Sequence, residues 1–197
     1  MRSNHLPEHT SIIAERRAQL RSILAGIIGP TARFIWEVGS GHGHFLTAFA
    51  AAHPDETCIG IDIESDRVAR ADRKRSRASL GNLQFVRAEA EDFLASMPEH
   101  ARFKAIFVLF PDPWPKRRHH KKRIMKPGFL TGIAARSEKG SHLYFRTDHE
   151  PYFLEVRESV AAHDDWSQTD DAAWPIDEPT VFQRRAASYF TLVAKRR

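Results

Sequence analysis

Phe34-Ile35-Trp36-Glu37-Val38-Gly39-Ser40-Gly41-His42-Gly43 is a short apolar run that ends beside an acid and breaks into three glycines within five residues. A stripe of helical period, Phe45, Leu46, Phe49 and Ala52, follows at once. Strand, glycine turn and helix in that order form the entry to an open α/β sheet. Glycine at such a turn lets the backbone fold back tightly and lets a ligand approach the main chain, which a side chain would obstruct. The stretch therefore predicts a nucleotide-type cofactor at the turn.

Further along the chain, apolar runs at Thr57 to Ile63, Leu83 to Arg87, Ala105 to Phe110 and His142 to Thr147 read as four more strands. Phe129, Leu130, Ile133 and Ala134 keep a helical stripe, Tyr152 to Val160 reads as a last helix, and Tyr189 to Ala194 as a final strand. Repeated strand-helix units imply a mostly parallel sheet, so the expected fold class is α/β, a Rossmann-like, doubly wound sheet flanked by helices. Ile12 to Ile28 has helical period and carries Arg16, Arg17 and Arg21 ahead of the breaker pair Gly29-Pro30. It is read as a leading helix, dividing the chain into a helical extension, residues 1–30, and a main domain, residues 31–197.

The 197 residues suit one domain of ordinary size. Thirty Lys and Arg against 25 Asp and Glu favour a polyanionic partner without specifying a fold. The single cysteine, Cys58, sits inside an apolar run, which makes it a buried small hydrophobe and excludes an internal disulfide framework. Met1 to Thr10 is polar, and no apolar run approaches the ~18 residues of a membrane span. The expectation is a cytoplasmic protein with no membrane partner, and monomer and homodimer both stay open.

At the glycine turn, the dinucleotide fingerprint wants its third glycine at position 44, where this chain has His44, and the glycine comes one place early at Gly43. The spacing favours S-adenosylmethionine over NAD, with Gly39, Gly41 and Gly43 bordering it. The next strand ends in Asp62, about 20 residues beyond the glycines, where a carboxylate can accept hydrogen bonds from both ribose hydroxyls. After the third strand, Arg87-Ala88-Glu89-Ala90-Glu91-Asp92 offers an acid to border the adenine, Glu89 by preference with Glu91 as the competitor.

The fourth strand runs into Pro111-Asp112-Pro113-Trp114-Pro115-Lys116-Arg117-Arg118-His119-His120-Lys121-Lys122-Arg123. Three prolines stiffen the backbone around Asp112 and Trp114, so a carboxylate and an aromatic plane are held at the carboxyl edge of the sheet. Trp114 is open to packing or to base stacking. From Lys116 to Lys126 there are seven cations and no acid, the pattern of a surface that tracks phosphates, with a solvated loop as the bland alternative. His119 and His120 lack metal-ligand spacing with any acid or cysteine, and His42 with His44 is an H-x-H within a glycine turn, so no metal is expected.

These motifs strongly resemble the bacterial tRNA (guanine-N7)-methyltransferase family, from about Phe34 to the C-terminus. The proline-rich run after the fourth strand is the most specific element and Thr147-Asp148 the second. The resemblance implies a class I methyltransferase fold, S-adenosylmethionine as methyl donor, and as acceptor N7 of a guanosine in the tRNA variable loop, position 46. Carried over on matching motifs, Glu37, Asp62, Glu89 and Asp112 would contact the cofactor and Asp112 would also be catalytic. Lys116, Asp148 and the segment from Thr180 to Gln183 would contact tRNA. Asp62 stands where the family usually has Glu, and Thr180-Val181-Phe182-Gln183 replaces a family pattern of Thr-Lys, an aromatic and Glu. Two rivals remain: an NAD-dependent oxidoreductase, which has no use for the cationic loop, and a cofactor-binding tRNA-binding protein with weak or altered transfer activity.

Overall fold

The structure, a computed structural model, describes residues 6–29, 33–170, 173–176, 186 and 188–197, with side chains from residue 11 onward. A long helix, α1 (Leu6–Ile27), leads into the alternating series β1 (Arg33–Val38), α2 (His44–Ala52), β2 (Cys58–Asp62), α3 (Ser65–Arg77), β3 (Leu83–Arg87), α4 (Ala90–Ser96) and β4 (Arg102–Leu109). A 3-10 turn, Arg117–Lys122, precedes α5 (Pro127–Ala135), β5 (Ser137–Thr147), α6 (Glu150–Ala161), β6 (Trp166–Gln168) and β7 (Phe190–Arg196).

The strands form one sheet in the order β3-β2-β1-β4-β5-β7-β6. β1 to β5 run parallel, and β7 lies antiparallel to β5 and β6. β2 is buried along its whole length, as a strand covered by helices on both faces must be. The chain winds outward from β1 to β3, then returns to the other side of β1 to lay down β4 and β5. That reversal opens a crevice at the carboxyl ends of β1 and β4, the place where open α/β sheets bind ligands.

Two apolar layers clamp the sheet. On one face Trp36 stacks between Phe93 and Phe103, each 4.8 Å away between ring centroids, and Leu20, Leu24 and Ile28 from α1 and its end join the same core. On the other, Phe45 and Phe49 of α2 meet Phe107 of β4, which stacks on Tyr144 of β5. Cys58 is fully buried there.

The structure differs from the sequence reading in a few elements. β6 is an unanticipated strand, three residues in an acid-rich stretch, held because Trp166 is fully buried and its indole N–H donates to the Leu130 carbonyl at 3.0 Å. α4 is a seven-residue helix whose apolar content is too short for periodicity to reveal. β4 starts at Arg102, ahead of the expected Ala105, with a register irregularity between Phe103 and Ala105. Among the described residues no helix is long and apolar enough to cross a membrane.

Candidate active site

The glycine turn occupies the carboxyl end of β1 at the crevice. Gly39, Gly41 and Gly43 all have positive φ, at 71°, 53° and 68°, a region that side-chain-bearing residues rarely enter. Their roles divide. A Cβ on Gly39 or Gly41 would meet nothing within 4 Å, so these two leave room at the main chain. A Cβ on Gly43 would lie 2.5 Å from the Phe85 ring and 2.8 Å from the Ala71 methyl, so the third glycine serves close packing of α2 and α3 on the sheet.

Asp62, at the end of β2, is 4% exposed. Its carboxylate accepts from the Gly41 N–H at 3.0 Å and from the Glu64 N–H at 2.9 Å, so it ties the glycine turn to the start of α3. Arg67 approaches the same carboxylate at 3.8 Å. This bracing role was not visible in sequence, which offered Asp62 only as a ribose acceptor.

Glu37 is buried beneath the turn, and one of its carboxylate oxygens has no partner. Burial, reinforced by the nearby charge of Asp62 and partly offset by the Leu46 backbone N–H, pushes its pKa up to about 8. A buried, half-satisfied acid on the strand that leads into the glycine turn fits a cofactor that brings a cationic amine.

The three acids after β3 diverge. Glu89 holds the N-cap position of α4 with an exposed side chain and pairs with Arg16 of α1 at 3.5 Å. Glu91 is exposed. Asp92 turns inward, where Arg17 Nε donates to it at 2.7 Å and Arg16 approaches at 3.1 Å, anchoring α1 to the domain.

Beyond β4 the backbone is strained at two residues that are not glycine: Phe110 has φ 50° and Trp114 φ 43°. Between them Asp112 stands exposed at the carboxyl edge. Lys116 is exposed at the head of the 3-10 turn, and Asp148 is exposed just past β5. The Trp114 indole is half-buried under the Lys122 ammonium, 4.5 Å above its ring, with the His119 ring edge-on at 5.8 Å. Trp114 thus packs the cationic turn against the Asp112 loop.

The seven cations are not equivalent. Arg123 is buried, donating from Nε to the Pro113 carbonyl at 2.8 Å, pairing with Glu155 of α6 and lying over the Tyr152 ring. It cannot track phosphates, which corrects the reading of the whole run as one surface. Its only signal in sequence is the apolar pair Ile124-Met125 that follows. Tyr152 in turn accepts from the Met125 N–H at 3.1 Å, and the His149 ring caps α6 by accepting from the Tyr152 N–H. Thr180 and Gln183 lie outside the described residues.

A separate groove of ≈ 330 Å³, floored by Phe49, Phe107 and Tyr144, lies toward the amino-terminal ends of β4 and β5, away from these groups. Among the described residues no group of three or more His, Cys, Asp or Glu is placed to hold a metal ion.

An open, mostly parallel sheet with its glycine turn and strand-end acids at the β1–β4 crevice defines a class I methyltransferase fold. A solved aminoglycoside resistance methyltransferase superposes on it with a TM-score of 0.61 over 90% of this chain and 93% of its own, at 20% identity. Residues 31–195 match the family described as "Putative methyltransferase". The tRNA (guanine-N(7)-)-methyltransferase of Nitrosomonas europaea is 31% identical over 91% of this chain and 80% of its own length. That of Streptomyces coelicolor is 33% identical over 74% of this chain, which spans about half of it, 54%. The chain belongs to the tRNA (guanine-N(7)-)-methyltransferase family.

Proposed function

We propose that this protein transfers the methyl group of S-adenosylmethionine to N7 of a guanosine in the tRNA variable loop, position 46. The observation that carries the reading is the exposed Asp112 carboxylate, set on a strained loop between the glycine-turn crevice and an exposed cationic turn. Glu37, Gly39, Gly41, Gly43, Asp62, Glu89 and Asp112 would hold the cofactor, and Lys116 and Asp148, together with Thr180 and Gln183, the tRNA. The unpartnered oxygen of Glu37 and the open space at Gly39 and Gly41 support a fit to that group.

When bound, the cofactor supplies an electrophilic methyl on a sulfonium. Guanine N7 carries a lone pair and no proton, so this chain needs no general base. What it must do is align the acceptor, and orientation alone can lower a barrier by several kcal/mol. Asp112 and Asp148 place negative charge at the edge where positive charge moves onto the purine. Incubating the protein with bulk tRNA and labelled cofactor, then mapping the modified nucleoside, tests the reading. Label in 7-methylguanosine at one variable-loop site supports it, and label elsewhere or none overturns it.

A further inference from the structure

Helix α3 carries a row of cations along one face. Arg67, Arg70, Lys74 and Arg77 recur at intervals of three and four residues and so share one helical face, with Arg73 flanking them. Like charges at these spacings repel and destabilise a helix. Of the two acids in α3, Asp72 pairs with Arg75 at 2.7 Å, off the row, and Asp66 stands in the first turn. Arg70, Arg73 and Arg77 are exposed and have no ion pair among the described residues.

The row is joined to the glycine turn. Lys74 Nζ donates to the His42 carbonyl at 3.0 Å, and Arg70, Arg73, Lys74 and Arg77 together with His42 and His44 enclose a shallow depression of ≈ 510 Å³. His42 is held below the usual imidazole pKa, first by burial and then by Arg70, Arg67 and Lys74.

Sheet order places the row across the crevice from the other cationic surface. α3 follows β2 on one side of β1, whereas the Arg117–Lys122 turn follows β4 on the other. The ten steps of helical rise from Arg67 to Arg77 cover about 15 Å. That is too long for a single phosphate group and suited to several along a strand.

We propose that the α3 row is a second phosphate-binding surface, which holds the sugar-phosphate backbone of tRNA on the side of the crevice opposite the Arg117–Lys122 turn. It rests on the tRNA reading above, and with it the target base enters between two positive walls.

The test is tRNA binding by the full-length chain between about 50 and 200 mM salt, comparing wild type with the triple variant Arg70→Gln, Arg73→Gln, Arg77→Gln. The slope of log affinity against log salt should fall in magnitude by about 2 to 3, at roughly 0.7 to 0.9 per lost phosphate contact. Affinity should drop at least about tenfold at the low-salt end, with cofactor affinity unchanged and the melting temperature equal or higher, because repulsion is removed. The corresponding triple Lys variant should keep the wild-type slope. A folded Gln variant with wild-type slope and affinity overturns the proposal. Wild type that binds tRNA without methylating it overturns the functional reading alone, since the slope is read without turnover; wild type that does not bind tRNA overturns both.

Discussion

The Arg123 guanidinium donates from Nε to the carbonyl oxygen of Pro113 at 2.8 Å, ten residues back along the chain. Pro113 directly follows Asp112, and the other side of the guanidinium pairs with Glu155 on α6. A single buried cation therefore fixes the loop that presents the proposed catalytic carboxylate to a helix of the core. Replacing it by an apolar residue leaves the Pro113 carbonyl and Glu155 without their donor. Arg123→Met should lose about 2 kcal/mol of stability, in the range for hydrogen bonds to charged groups, and lower kcat more than it raises the KM for cofactor. Arg123→Lys, which keeps the charge but not the fork, should fall between the two. Thermal melts and steady-state kinetics check this, and a folded Arg123→Met with wild-type kcat would show that the Asp112 loop keeps its shape unaided.

Burial also separates Arg123 from its neighbours in binding. Lys121 and Lys122 are exposed, so Lys121→Gln with Lys122→Gln should lower the salt slope of tRNA affinity by between about 1 and 2. Arg123→Met should leave that slope unchanged. Filter binding across a salt series distinguishes the two variants, and an equal effect of both would contradict the division.

The two backbone N–H groups bound to Asp62 make it a brace for the glycine turn. Asp62→Ala strands both donors and should cost on the order of 1 to 3 kcal/mol of stability, along with a clear loss of cofactor affinity. Asp62→Asn should recover little, because its amide nitrogen would face one of the donors. Calorimetric titration with S-adenosylmethionine and a thermal melt provide the two readings. Unaltered affinity in Asp62→Ala would remove this residue from the binding site.

Glu37 makes stability depend on pH in a direction that its environment sets. Burial, followed by the charge of Asp62, lifts its pKa from 4.5 to about 8. Between those values the folded chain binds the proton more tightly than the unfolded one, so stability falls as pH rises through that window and the full cost stands above about pH 8. Glu37→Gln should remove this slope and gain on the order of a few kcal/mol at alkaline pH, while weakening cofactor binding if the acid meets a cationic amine. Denaturant melts from pH 5 to about 9, with and without S-adenosylmethionine, would check both effects. A ligand-free stability profile identical in the variant would contradict the buried, protonated state.

Five parallel strands, the glycine turn, Asp62 and the Asp112 loop could be read from sequence because each rests on local chemistry. Apolar runs of strand length, φ freedom at glycine and proline restriction all act within a few residues. The same local reading could not rank Arg123 among seven cations or separate Asp92 from Glu89 and Glu91, since burial depends on which element packs above. Only the tertiary structure turns Arg123 toward α6 and Asp92 toward α1, converting two residues of the charged motifs into anchors. It also decides the face that α3 presents, because sheet order sets the Arg67–Arg77 row and the Arg117–Lys122 turn on opposite sides of the β1–β4 crevice. Sequence thus determined which chemical groups lie at the strand ends. Which of them face the crevice, and which are withdrawn to hold it in shape, followed from packing between elements far apart in the chain, where burying a charge is tolerated only if a partner meets it there.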